Sequence, residues 1–336
     1  MSRIILKTNN ASNSNNSNEL INDNGNVVLS STPFPNRPEF IRNGTFKSNM
    51  NGTEFIPASS GNQSEKYTID GWFLRQLGGY DVNVARGISN GLGVPSQYYS
   101  VINIKNNGSD TGGKFVIFEQ RVNDITKYAG KTISIGFYCK SSEKTRIFVQ
   151  AVARWDNDDN DISSGSSVEI GTDWDNHQVR ISIPNYQSNN EVGINSRMVI
   201  RFWLCANGWE NEIGIINKTS KYFYFANIED GSKLTEPSKV DEIDAVSKYF
   251  EKSSISIPVC NAGKSVNTRD LYGRVYFNVK KELSPQETQI KITTNNIDSP
   301  SVNNISRAGF NVIGIANSDT SASVVTSYTC NCEPRE

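Results

Sequence analysis

The chain has 336 residues, with 34 basic and 35 acidic side chains and a formal net charge of −1. That length accommodates two or three domains with real cores, and the balanced charge excludes an overall field drawing it to nucleic acid or an acidic membrane. Hydrophobic residues make up 36% and charged residues 21%. The shortfall is filled by Asn, Ser, Thr and Gly, which suits turns and exposed strands and excludes a helical bundle or a doubly wound sheet.

Residues 1–38 do not read as a domain. Within MSRIILKTNN the apolar run is only Ile4-Ile5-Leu6, too short for a secretory core, and no later stretch reaches membrane-spanning length. No membrane insertion is expected, and the chain is expected to be made in a cytoplasm with its thiols reduced. An Asn/Ser tract from Asn9 to Asn18 cannot bury enough surface to fold alone. Leu20 and Ile21, then Val27 and Val28, flank a turn, and Pro33, Pro35 and Pro38 stiffen the exit. The segment is either a frayed tail or an arm docking on a partner through Ile4, Ile5, Leu6, Leu20, Ile21, Val27 and Val28.

From 39 to 235 the strand signal is continuous. Strands are expected at Trp72–Leu77, Tyr98–Ile104, Phe115–Val122, Ile133–Cys139, Ile147–Trp155, Val179–Ile183, Met198–Cys205 and Tyr222–Ile228. The clearest lies within Tyr128–Ser142, where Ile133, Ile135, Phe137 and Cys139 alternate with Ser134, Gly136, Tyr138 and Lys140, a period of two that buries one face. Clusters of Gly, Asn, Asp and Ser at 106–113, 156–167 and 185–196 read as loops. Many strands with such joints and no intervening helix predict an antiparallel β-sandwich. A helix is expected over 236–254, from Pro237 at its entry and Val240, Ile243, Val246 and Phe250 at three- and four-residue steps. Alternation resumes at Leu271–Val279, Ile290–Thr293, Gly309–Ile315 and Val324–Thr329, giving a small β-domain over 255–336.

The order of the segments carries a resemblance. Phe40-Ile41-Arg42-Asn43-Gly44-Thr45-Phe46 is similar to the N-G-x-F opening of sandwich carbohydrate-binding modules. It is followed by YTIDGWFL at 67–74, FEQRVND at 118–124, YAGKTISIGFYCKSS at 128–142, TDWDNHQVRISIP at 172–184, YFYFANIEDGSKLTEP at 222–237 and DEIDAVSKYFEKS at 241–253. This succession resembles the jelly-roll, carbohydrate-binding-like domain of bacteriophage tail fibres and other virion appendages, and ELINDNGNVVL resembles the head segment by which such fibres attach to the particle. The resemblance implies an all-β jelly roll at the virion surface. It also implies a trimeric or otherwise repeated appendage that is held to other phage proteins by the arm and either recognises host surface polysaccharide or serves as a structural adaptor. Where related modules carry a Glu that helps hold a structural Ca²⁺, this chain has Lys47, which puts that metal in doubt.

Enzymatic chemistry finds little support. His177 is the only histidine and reads as a surface or edge-strand residue. Gly263-Lys264-Ser265 lacks the first glycine of a phosphate loop, since Pro258 stands there. A glycosidase pair would have to be drawn from Asp158 with Glu210 or Asp175, and no spacing brings them together. No cofactor and no catalytic residue is expected. The acidic run Asp156-Asn157-Asp158-Asp159-Asn160-Asp161 is either a solvated loop or a weak Ca²⁺ site through Asp156, Asp158 and Asn160. Sugar binding by a sandwich combines an aromatic ring with amide or carboxylate side chains. The pairs expected to do so are Trp155 with Asp156 and Asp158, and Trp209 with Glu210 and Asn211. Trp72, Trp174 and Trp203 are expected in the core or at an edge. The alternatives to a glycan-binding tail fibre are a head or tail decoration protein without glycan binding, and a polysaccharide depolymerase.

Overall fold

The structure, a computed structural model, describes strands at 5–6, 19–21 and 27–29, then residues 41–56, 63–90, 94–106, 114–123, 125–155, 162–185, 193, 196–206, 213, 220–230, 242–258, 260–261, 270–316 and 324–333. It divides into two compact units, Met1–Glu39 and Phe40–Glu336. In the first, β1 (Ile5–Leu6), β2 (Glu19–Ile21) and β3 (Val27–Leu29) form a small antiparallel sheet in the order β1-β3-β2. Ile4 lies outside the described residues.

The second unit begins with twelve strands: β4 (Glu54–Ile56), β5 (Ser64–Tyr67), β6 (Phe73–Leu77), β7 (Tyr80–Ile88), β8 (Tyr98–Asn106), β9 (Phe115–Asn123), β10 (Thr132–Ser141), β11 (Thr145–Arg154), β12 (Ile162–Ile170), β13 (Asp175–Ser182), β14 (Arg197–Ala206) and β15 (Ser220–Asp230). They make two six-stranded sheets, a front sheet β13-β10-β15-β8-β7-β4 and a back sheet β12-β11-β14-β9-β6-β5. Every pairing within them is antiparallel. From β8 onward the chain alternates between the sheets, with only β11 and β12 joined as a hairpin, which is the jelly-roll way of covering both inner faces. The inner faces interdigitate around Trp72, Phe118, Phe137, Phe202 and Phe225, each at most 1% exposed. Trp72 stacks on Phe118 at 4.6 Å and 11°.

The Asn43-Gly44-x-Phe46 sequence is a folding device. Asn43 and Phe46 take positive φ values of 51° and 58°, and Phe46 enters the core 5.9 Å from the Trp72 ring. The Asn43 amide pins the turn, donating to the carbonyls of Ser48 at 2.8 Å and Asp70 at 2.7 Å while accepting from the Ser48 amide at 2.9 Å. Gly44 lies flat against β15, where the Ile228 amide donates to its carbonyl at 3.0 Å. A Cβ at Gly44 would overlap the Ile228 carbonyl oxygen. Because backbone and not a flexible side chain would have to move, Gly44→Ala is expected to destabilise by about 1–3 kcal/mol, read as a lowered thermal midpoint.

Two expectations are corrected here. The 156–167 stretch is not all loop, since Ile162–Ile170 is β12. An edge strand pairing only with β11 needs no buried alternation, so a run of Ser and Gly suffices, and Gly165 leaves room for the Phe148 ring. The helix also ends well before 254, and residues 236–241 lie outside the described residues. It runs Glu242–Ser247 (α1), Tyr249 closes a turn back to Val246, and Phe250 already belongs to β16 (Phe250–Pro258). Phe250 shares the helical spacing of Val246, but pairing with Asn331 decides its conformation, a tertiary contact overriding a local pattern.

The remaining strands are β17 (Cys260–Asn261), β18 (Asp270–Tyr276), β19 (Ile290–Asn295), β20 (Ile297–Ser306), β21 (Gly309–Ala316) and β22 (Val324–Asn331). They form sheets β16-β22-β19 and β17-β18-β21-β20 around a second core that includes Val275, Phe310, Val312, Val325 and Tyr328. Its edge meets the sandwich through a 2.6 Å ion pair between Arg42 and Glu333 and through the rings of Tyr67 and Phe250 at 4.8 Å.

Candidate functional site

In β10, Ile133, Ile135, Phe137 and Cys139 point into the core, so Ser134, Gly136, Tyr138 and Lys140 take the outer face of the front sheet. Register then fixes their neighbours. Tyr138 stands opposite Asn176 of β13 and Asn227 of β15, and Lys140 opposite Tyr224. Tyr224 in turn stands opposite Val101 of β8, and Tyr222 opposite Asn103. Trp174 immediately precedes β13, one step past the Cys139–Asp175 pair, and so falls beside Lys140.

The result is a continuous patch of half-buried rings. Trp174 stacks on Tyr138 at 5.8 Å and 8°, meets Tyr99 edge-on at 5.9 Å and meets Tyr224 edge-on at 6.2 Å. Tyr224 lies 6.1 Å from Tyr99 and is stacked with Tyr222 at 6.3 Å. Gly87 of β7, opposite Tyr99, makes room for that ring, which a Cβ would strike. Burial, together with the neighbouring Tyr222 and Tyr99 hydroxyls, pushes the Tyr224 phenol above its usual range.

Polar groups sit among the rings. The Lys140 ammonium lies 5.3 Å from the Trp174 ring centroid and 5.2 Å from that of Tyr224. Asn227 donates to Glu229 at 2.6 Å, and Gln178 donates to the Ser134 hydroxyl at 2.7 Å. Trp174 Nε1, Asn103 Oδ1 and Asn227 Oδ1 are buried without a hydrogen-bond partner among the described residues. Each such group costs about 1–3 kcal/mol until it is paired. Rings offering faces and edges, with unpaired donors and acceptors between them, match a ligand that has C–H faces rimmed by hydroxyls.

The residues expected from sequence to bind sugar fare differently. Trp155 is 2% exposed and belongs to the sandwich core. Ile147, Val149, Ala151 and Ala153 point inward along β11, and Trp155 continues their phase, so its ring has no free face to offer. That phase is legible in the sequence. Asp156, Asp158, Asn160, Trp209, Glu210 and Asn211 lie outside the described residues. Trp72 is wholly buried, and Trp203 is half-buried with its indole donating to Gln150 at 2.8 Å. His177 sits on the edge strand β13, stacked on Phe137 at 5.4 Å, and burial holds its imidazole below the usual range.

The residues near the N-G-x-F turn do not fit a Ca²⁺ ion. Lys47 is exposed, and the Asp70 carboxylate accepts from the Ser48 hydroxyl at 2.6 Å, the Met50 amide at 2.6 Å and the Asn51 amide at 3.0 Å. Hydrogen-bond donors thus fill the carboxylate's surroundings where a cation would need oxygen ligands.

No protein-family model and no curated protein matches the chain. Among solved structures it is similar to a family 11 carbohydrate-binding module from Clostridium thermocellum in complex with a β-1,3-1,4-mixed-linked tetrasaccharide. There the identity is 14% and the TM-score 0.33, covering 53% of this chain and 100% of the module. It is similar to a putative sugar binding protein from Bacteroides thetaiotaomicron at 13% identity and a TM-score of 0.32, covering 57% of this chain and 100% of that one. The enzymatically active domain of tailspike protein 4 of bacteriophage CBA120 gives 15% identity and a TM-score of 0.33, covering 57% of this chain and 21% of that one. Likenesses of this size add nothing about the site. The fold and the outer face themselves define the class, a jelly-roll β-sandwich with an aromatic patch on its front sheet.

Proposed function

We propose that this chain is a non-catalytic glycan-binding protein that takes polysaccharide on the aromatic face of its front sheet. In the fuller reading it is a bacteriophage appendage at the virion surface, a trimer fixed to other particle proteins by residues 1–38. The observation that carries the glycan reading is the convergence of Tyr99, Tyr138, Trp174, Tyr222 and Tyr224 on one outer face, with Lys140 between Trp174 and Tyr224 and Asn227 opposite Tyr138. The virion part is supported by the order of segments from Phe40 to Ser253 and by the attachment-like ELINDNGNVVL.

Each ring contact is worth about 0.5–1.5 kcal/mol, so millimolar affinity per copy is expected, and repeated copies on one particle would convert it into avidity. Affinity electrophoresis against host surface polysaccharides tests the reading. Trp174→Ala and Tyr224→Ala are each expected to weaken retardation roughly 2- to 10-fold, and the double variant to abolish it with an unchanged circular dichroism spectrum. Full retention of binding in the double variant would place the glycan elsewhere, and no retardation of the wild type by any polysaccharide would overturn the reading. Location of the chain on purified particles by labelled antibody tests the virion reading separately.

A further inference from the structure

We infer that the glycan bound on this face is acidic, its carboxylate pairing with Lys140. The inference rests on the glycan-binding reading above and adds the class of sugar. Lys140 stands in the middle of the patch, on a central strand, flanked across the sheet by Trp174 and Tyr224 at 5.3 and 5.2 Å. No carboxylate among the described residues pairs with it. Some lysines elsewhere in the second unit are held by carboxylates, among them Lys66 by Glu54 at 2.5 Å, Lys221 by Glu143 at 2.8 Å and Lys281 by Glu251 at 2.6 Å; what sets Lys140 apart is its place between two rings.

The nearest carboxylates, Asp173 and Asp175 on either side of Trp174, form no ion pair with it among the described residues, and Asp175, opposite Cys139, accepts from the Asn176 amide at 2.7 Å. Glu229 is opposite Gly136, four residues along β10 from Lys140, which at about 3.3 Å per residue puts them roughly 13 Å apart. Glu229 also holds the Asn227 amide at 2.6 Å. Asp81 of β7 stands opposite Lys105 of β8. Arg180, farther along β13 and opposite Ser134, adds a second cation in the same outward phase.

A sugar laid across Trp174, Tyr138 and Tyr224 must cover the Lys140 ammonium. Covering it with a neutral residue removes water from a charge and returns only neutral hydrogen bonds. Covering it with a uronate or sialate returns a charge-assisted bond, shorter and about twice as strong. The rings already strip part of the ammonium's hydration and contribute little to holding it, as exposed ring–cation contacts are weak. The face is therefore built to reject neutral glycans relative to their carboxylated forms.

The test measures binding of the full chain to polygalacturonate, alginate, hyaluronan and polysialic acid. Each is compared with its carboxyl-reduced, neutral counterpart, for wild type, Lys140→Gln, Lys140→Arg and Trp174→Ala. The expected result is at least one acidic polymer bound roughly ten-fold tighter than its reduced form, with the ratio falling as salt is raised. Lys140→Gln should bring that ratio close to one, Lys140→Arg should keep most of it, and Trp174→Ala should weaken acidic and reduced forms together. Equal binding of acidic and reduced polymers by the wild type, or a ratio unchanged in Lys140→Gln, would overturn the inference while leaving the glycan reading intact. Binding of no polymer in either form would count against both.

Discussion

Replacing Glu119 by alanine is expected to destabilise the protein by roughly 3–5 kcal/mol, the range for removing one partner from a buried charge cluster. Glu119 is fully buried on the outer face of the back sheet, with Arg121 at 3.0 Å, Arg201 at 3.0 Å and Arg75 at 3.6 Å from its carboxylate. Arg121 is fully buried too, pairs additionally with Glu65 and lies 4.1 Å over the Phe73 ring. Burial by itself would raise the Glu119 carboxyl, but Arg201, Arg121 and Arg75 outweigh it and hold it below the usual carboxylate range. The sign of the pH dependence follows. A depressed folded-state pKa contributes stability that is present above the unfolded value near 4.3 and lost as pH falls through the folded one. Urea melts of wild type and Glu119→Gln should therefore differ most at neutral pH and converge as the pH is taken well below 4. A gap unchanged across that range would show that the carboxylate's charge is not what holds the three guanidiniums.

The second large effect is expected at Arg42, where the sandwich meets the C-terminal strands. Its guanidinium donates to the Arg121 carbonyl at 2.9 Å and to Glu333 at 2.6 Å, and lies 4.0 Å over the Tyr249 ring. Both ends of the ion pair are buried, with side-chain exposures of 9% and 0%. Arg42→Ala removes all three contacts and leaves Glu333 buried alone, for an expected loss of roughly 3–5 kcal/mol. Hydrogen exchange should show β22, which ends beside Glu333, losing protection first.

Glu333 differs from Glu119 in an instructive way. Burial raises its carboxyl, and Arg42 with the more distant Arg121 does not offset that, whereas Arg201, Arg121 and Arg75 together do at Glu119. Its ionisation works against folding, so this contribution favours stability at low pH and is lost as pH rises through the raised pKa. Glu333→Gln, which keeps an acceptor for Arg42, is accordingly expected to cost much less than Arg42→Ala. Equal losses in the two variants would mean that the charge of Glu333, rather than the packing of Arg42, joins the two parts.

Much of this architecture was readable from local pattern. Alternation along Ile133–Cys139 and Ile147–Trp155 sorts inward from outward residues, because successive side chains on a strand face opposite ways. The same alternation, followed one residue further, puts Trp155 in the core, because its phase along β11 and not its acidic neighbours decides where its ring goes. β12 leaves no apolar period in the sequence because an edge strand needs none, and the start of β16 is hidden because Val246 and Phe250 share a helical spacing that only pairing with β22 overrules.

The aromatic face itself was not legible. Tyr99, Tyr138, Trp174 and Tyr224 lie far apart in the chain, and each alone reads as an ordinary outward or edge residue. The amino-acid order by itself determined that the chain folds into antiparallel strands, which side chains each strand buries, and that Asn43-Gly44-x-Phe46 makes a tight entry to the sandwich. Only the tertiary structure decided that β13, β10, β15 and β8 lie side by side, because the crossovers between sheets set strand order through long-range pairing, which leaves no local mark in sequence.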